Sequence, residues 1–203
     1  MSDLFPNPAL LTHPNIPKPL HSVNPRSIKG DAWWDVTRRA SYAKHDFCCW
    51  ACGVHKLKAE FHNWLEGHEY YEIDYPNGIV TLKEVVALCH ACHNFIHSGR
   101  LWMMYQRGQI PREKIERILD RGFQILDNGI DLKPFPATVA IWLMLKGESR
   151  EDARELAWLV GSDDAIVMAP WEKWHLLLDG KKHFSPFKDF EAWKVHYSSG
   201  GEA

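Results

Sequence analysis

The chain has no run of eighteen or more apolar residues, so nothing in it reads as a membrane-spanning helix. It has little charge excess: 24 Lys and Arg stand against 26 Asp and Glu, a net charge of −2. That balance excludes a polycation that binds nucleic acid by bulk charge alone. The first twenty residues, MSDLFPNPALLTHPNIPKPL, lack the basic n-region and apolar h-region of a secretory signal, so the expected location is the cytoplasm. Cysteine is scarce and odd in number, five in all, which argues against a disulfide framework in such a chain. No internal repeat or low-complexity tract is present. What charge there is separates weakly. Residues 1–121 carry 15 Lys and Arg against 13 acidic residues (+2), and residues 122–203 carry 9 against 13 (−4), so a polyanion would be held by the first part.

What is present suits a globular protein: 203 residues, 45% hydrophobic, enough for one sizeable core or a core with a small module. Six of the twelve prolines fall in residues 1–30, which reads as an extended arm, either a tail or a strap packed on the next domain. Asp31 is placed to cap a helix running to about Lys44. Aromatic-rich residues 61–75, the turn Pro76-Asn77-Gly78 and Val80-Thr81 predict strand, turn and short strand, while residues 82–88 fit helix or strand equally. A helix should begin near Ala91, pass through His97 and stop at Ser98-Gly99. Beyond it the pattern is helical: a segment opened by Pro111 and closed by Asn128-Gly129, then 138–146 and 149–160, each ending at glycine, and a last helix started by Ser185-Pro186. The tryptophans of this part, Trp142, Trp158, Trp171, Trp174 and Trp193, read as packing rather than as base-stacking platforms.

Four of the five cysteines form two Cys-x-x-Cys units, Cys49/Cys52 and Cys89/Cys92, separated by 36 residues. Each unit presents two thiolates to one ion, and two units complete a tetrahedral structural zinc site. Cys48 is left over; Cys48/Cys52 is also a usable spacing, but Cys49 matches the second pair and is followed by Gly53, which permits the tight turn. A thioredoxin-like dithiol would need a single pair after a strand in a βαβ unit, for which nothing speaks.

Histidines gather around the second knuckle in Leu88-Cys89-His90-Ala91-Cys92-His93-Asn94-Phe95-Ile96-His97. His93 and His97 are spaced i, i+4, which on a helix puts them on one face about 5–6 Å apart. Four thiolates already fill a tetrahedron, so this pair predicts a second, more open metal position of catalytic character. Upstream, Leu65-Glu66-Gly67-His68-Glu69 adds another histidine and carboxylates in an aromatic-rich strand. His62 and His90 read as ordinary core or surface histidines.

The order Cys-x-x-Cys, Leu-Glu-x-His-Glu, Leu-Cys-x-x-Cys-His-x-x-x-His over residues 49–100 resembles the zinc-containing HNH endonucleases, of the ββα-metal or His-Me finger superfamily. The resemblance implies a small ββα-metal core, and with the elements read above the expected chain is α+β, mostly helical: a Pro-rich arm (1–30), that core with the four-cysteine zinc site (31–108), and a helical C-terminal region of unknown role (109–203). It implies a phage or bacterial enzyme that hydrolyses DNA with one divalent cation such as Mg²⁺ beside the structural Zn²⁺. His93 and His97 would be ligands, and His68 would belong to the first motif. Family members commonly carry His-His or Asp-His there, whereas this chain has His68-Glu69. Either His68 is the general base and its usual neighbour is missing, or His68 binds the metal and Glu69 is the base. Asn77 and Asn94 are both candidates for the family's central asparagine, Asp74 for an outer partner of a ligating histidine, and Arg38, Arg39 and Arg100 for phosphate contacts. The rival expectation is a non-catalytic zinc module that binds DNA or a protein partner. A metalloprotease is weaker still, since His68-Glu69-Tyr70-Tyr71-Glu72 lacks the second histidine of that motif.

Overall fold

In a computed structural model that describes residues 4–127, 132–160 and 168–198, the chain is α+β with helix predominating. In order come α1 (Pro25–Lys29), α2 (Asp31–Lys44), β1 (Glu66–Asp74), β2 (Ile79–Leu88), α3 (His90–Ile96), α4 (Ser98–Gln106), α5 (Arg112–Asp127), α6 (Pro136–Lys146), α7 (Arg150–Val160), β3 (His175–Leu178), β4 (Lys181–Phe184) and α8 (Phe190–Ser198). The four strands form one sheet in the order β1-β2-β3-β4. Among the described residues no helix is long and apolar enough to cross a membrane.

The chain divides into two compact units. The first comprises residues 1–15, 41–68 and 86–164. In it the arm is a packed strap rather than a tail: the 3-10 turn Pro8–Thr12 buries Leu10 and Leu11 and lies against α3 and α5. Asn7 N–H donates to the Trp50 carbonyl (2.7 Å), which ties the strap to the first knuckle. α5 is the strongly amphipathic helix of this unit; Ile115, Ile118 and Leu119 are fully buried, and Gly122 meets the Phe95 ring of α3. A Cβ at Gly122 would lie 1.9–2.4 Å from that ring, so only glycine allows α5 to approach this closely. α6 ends as expected at Gly147, in the left-handed region at φ 108°. Ser149 caps α7 by accepting from Asp152 N–H (3.1 Å). The expected stops at Asn128-Gly129 and Gly161, and the Trp158 side chain, lie outside the described residues.

The second unit comprises residues 16–40, 69–85 and 165–203. Its core joins Leu20, Tyr71, Val80, Trp174, Leu176 and Leu178. β2 pairs in parallel with β3 in the register Ile79↔His175, Val80↔Leu176, Thr81↔Leu177. β3 and β4 form a hairpin closed by Asp179-Gly180, both at positive φ (50° and 73°), the conformation a tight two-residue turn demands. The expectation of a purely helical C-terminal region is therefore corrected: it contributes half of the four-stranded sheet. Two further corrections have local causes. The last helix starts after Asp189, whose carboxylate accepts from Ala192 N–H (2.8 Å), while Ser185 Oγ closes a turn by accepting from Phe187 N–H (3.1 Å). Ser98-Gly99 does not stop the helical run. His97 leaves the helical region at ψ 36°, and α4 starts at once from Ser98, whose buried hydroxyl meets Thr138 Oγ1 at 2.8 Å.

Candidate metal centres

The first knuckle is a backbone device. Cys49 N–H donates to the Val54 carbonyl and Gly53 N–H to the Cys49 carbonyl (2.8 Å each), and Gly53 sits at φ 73°. Trp50 N–H donates to the Ala87 carbonyl at the end of β2 (2.8 Å), which brings this knuckle beside the second one. The second begins at Cys89, the N-cap residue of α3. Cys49, Cys52, Cys89 and Cys92 thus gather with their sulfurs within 4.8 Å of one another. Cys52 Sγ and Cys89 Sγ are 3.9 Å apart. Two thiolates about 2.3 Å from a tetrahedral ion stand about 3.8 Å apart, whereas a disulfide requires about 2.05 Å. The group therefore fits a metal ion such as zinc. Cys48 stays outside it, with its thiol toward the Asp46 carbonyl.

Protonation within the group is uneven. Burial raises the Cys49 thiol, contacts with Cys49, Cys52 and Cys89 raise Cys92, and hydrogen bonds led by Cys49 lower Cys52 and Cys89. Four sulfurs in a dry site cannot all carry charge without a cation among them. Arg121 of α5, which no sequence motif marks, sits beside Cys52. Burial opposes its charge, but attraction to Cys52 and a hydrogen bond to that sulfur outweigh it and raise its pKa. A guanidinium there offsets the net negative charge of a four-thiolate zinc centre.

The second gathering joins the end of the hairpin to the helix that follows it. His68, 5% exposed, lies on β1, His93 on α3, and His97 at its C-terminal cap. One nitrogen from each lies within 4.8 Å of the other two. His97 Nε2 stands 3.2 Å from His68 Nδ1, about the separation of two nitrogens that share an ion at 2.0–2.1 Å. The His68 and His97 rings stay neutral, as ligands must. Burial, then His97, His93 and His13, pushes His68 well below its ordinary value; burial, then His93 and Arg100, holds His97 down at about 3.

Two residues outside the expected site orient these rings. His13 of the strap places Nδ1 3.2 Å from His68 Nε2, so both nitrogens of His68 are engaged. Glu66 reaches His93 Nδ1 with Oε2 (2.5 Å) and His90 Nδ1 with Oε1 (2.7 Å). Burial opposes its charge, yet the hydrogen bonds from His90 and His93 hold its carboxyl well below the usual carboxylate range. With Nδ1 donating to Glu66, His93 is left with Nε2 for an ion, the carboxylate–histidine–metal arrangement. The signal for Glu66 was two-residue periodicity: on β1 it shares the face of His68, and Glu69 belongs to the other. Among the described residues Glu69 is not part of any gathering of potential metal ligands. His13, separated from His68 by 55 residues, carries no local signal at all.

The remaining candidates fall elsewhere. Asp74 accepts from the backbone and side-chain N–H groups of Asn77 (3.1 and 2.8 Å), so this pair builds the hairpin turn and supports no histidine. Asn94 is buried and donates to the His90 carbonyl (2.9 Å). Arg38 and Arg39 both close on Asp35 of their own helix. Arg100 is exposed on the first turn of α4. His62 and His90, expected as ordinary core or surface histidines, instead form a third gathering with Glu66. No protein-family model, curated protein or solved structure matches the chain.

Proposed function

We propose that this chain is an HNH-type endonuclease that hydrolyses DNA phosphodiester bonds with a divalent cation held by His68, His93 and His97. The observation that carries this reading is the convergence of a strand histidine and two helix histidines, apart from the four cysteines that would hold a structural zinc ion. In this reading β1, β2 and α3 are the ββα core, and the two knuckles clamp the start of α3. A cation bound there supplies charge neutralisation at the scissile phosphate and acidifies water. The chain's own residues do the positioning: Glu66 keeps Nδ1 of His93 protonated, and His13 engages the outer nitrogen of His68. Arg100, beside His97, is the cation best placed to meet a DNA phosphate. His68 is a ligand in this arrangement rather than the general base.

The second reading is a non-catalytic zinc module that grips DNA or a protein partner. What favours it is the engagement of both His68 nitrogens, which leaves the first motif without a free imidazole base. Plasmid cleavage with Mg²⁺, Mn²⁺, Ni²⁺ or Zn²⁺ added separates the two. The nuclease reading expects nicking or linearisation by the wild type, loss of cation binding and of cleavage together in His68→Ala, and near-normal cleavage in Glu69→Gln. Cleavage equal to wild type in His68→Ala, or none under any cation, supports the binding module.

A further inference from the structure

The carboxylate of Glu66 faces two ways, and only one side serves His93. On the other side Oε1 lies 2.7 Å from His90 Nδ1, and the His62 ring stands edge-on to His90 with centroids 4.2 Å apart. One donor atom from each of His62, Glu66 and His90 lies within 4.8 Å of the other two. Donors around a common ion at 2.0–2.2 Å stand roughly 3–4 Å apart, so a small closing movement of His62 completes the set. The geometry points to a second cation position in this part of the chain, held by His62, Glu66 and His90 and linked to the His68, His93, His97 position through the contact of Glu66 with His93.

Two features make this more than a crowd of polar groups. The contact between Glu66 Oε1 and His90 Nδ1 holds one ring proton between two potential ligand atoms, and a cation bound there would take the place of that proton. The other ring is prearranged: His62 stacks on Trp64 (centroids 4.0 Å apart, planes 10° apart), which fixes its plane and limits the entropy lost on ligation. Asn94 Nδ2 donates to the His90 carbonyl (2.9 Å) and so steadies the helix end of the site. Glu66 and His90 are largely buried, with side chains 24% and 15% exposed, and His62 stands at the more open rim.

Two imidazoles and one carboxylate with positions left over select a borderline divalent ion, zinc, nickel or cobalt, over magnesium or calcium. Glu66 would ligate the second cation directly and reach the first only through His93, so one carboxylate couples the two positions. This assignment does not rest on the nuclease reading, since it concerns ligands alone.

Equilibrium dialysis of untagged, zinc-loaded protein against Ni²⁺ tests it, with Ni and Zn counted by elemental analysis. The wild type should take up two nickel ions per chain while retaining its zinc. His62→Ala should take up one, and so should His97→Ala, because each removes a different position. The double variant should take up none. Thermal unfolding of His62→Ala checks that its fold persists, as expected for a partly exposed side chain. A single nickel in the wild type that a folded His62→Ala retains, or two in a folded His62→Ala, overturns the second position. Loss of binding in His97→Ala alone bears on the first position and leaves this one standing.

Discussion

Replacing Glu66 by glutamine changes one oxygen to an amide and leaves the shape intact. Glu66 accepts from two rings, His90 Nδ1 at 2.7 Å and His93 Nδ1 at 2.5 Å. Glutamine offers one acceptor oxygen and one donor NH₂, so it satisfies only one ring in its present tautomer. If the amide nitrogen faces His93, that ring must move its proton to Nε2, the nitrogen a cation needs. If it faces His90, His93 keeps its tautomer but loses the adjacent negative charge that strengthens it as a ligand. Either way cation affinity at His68, His93 and His97 should fall ten- to a hundredfold, about 1.4–2.8 kcal/mol. Calorimetric Ni²⁺ titration of zinc-loaded Glu66→Gln in a His62→Ala background reads the first position alone. Zinc content and the unfolding midpoint of the same sample show whether the fold is intact. Unchanged affinity in a folded, zinc-replete variant would refute the orienting role of Glu66.

Three other outcomes follow from the packing and charges. Gly122→Ala should destabilise the chain by up to about 2 kcal/mol in urea unfolding, because overpacking against Phe95 at about 1–3 kcal/mol exceeds the roughly 1 kcal/mol gain in helix propensity. A more stable alanine variant would mean that α5 and α3 are not in this contact. Cys89→Ser should leave less than one zinc per chain by elemental analysis and sharply lower the unfolding midpoint, since structural zinc contributes on the order of 10 kcal/mol in small domains. It should also weaken cation binding at His93 and His97, because the zinc centre anchors the start of their helix through Cys89. In protein freed of cation at the histidines, His97 is held at about 3 against an ordinary value near 6.5, so between these the unfolded chain binds the extra proton. Stability is then fully present above about pH 6.5 and falls by up to about 1.4 kcal/mol per pH unit below it, about 2 kcal/mol between pH 7 and pH 5. His68 adds to the fall in the same direction. Urea midpoints that do not change over this range, or an equal slope in His97→Gln, would contradict the buried neutral ring.

Both knuckles were legible because ligand spacing is a local property: Cys49/Cys52 and Cys89/Cys92 gather as their spacing implies. The i, i+4 pair His93 and His97 was legible for the same reason, since one helical turn decides it. α2 was read closely, as a helix capped by Asp31 and running to about Lys44, whereas Asp31 itself opens the helix. Residues 82–88 were ambiguous because the exposed Lys83 is followed by residues 85–88, a run buried on both sides that carries neither period; pairing resolves them into β2. The β3–β4 hairpin was legible and missed: Leu178-Asp179-Gly180-Lys181 holds the Asp-Gly signal, but Ser185-Pro186 drew the helix start too early. Glu66 was readable by alternation with His68, while His13, Arg121 and the His62 and His90 partnership depend on tertiary folding. No rule of spacing predicts that a proline-rich strap will bring a histidine to a strand 55 residues away.

The metal-dependent nuclease reading requires that the cation seen by the histidines be the one that supports cleavage. The direct measurement is to titrate Ni²⁺ into zinc-loaded His62→Ala protein, which keeps only the first position, and follow occupancy by calorimetry and plasmid nicking rate on the same samples. The two curves should share one midpoint, and His93→Ala should shift both upward together. Nicking that saturates well apart from occupancy, or that persists in His93→Ala at concentrations where no Ni²⁺ binds, would contradict a catalytic centre at His68, His93 and His97.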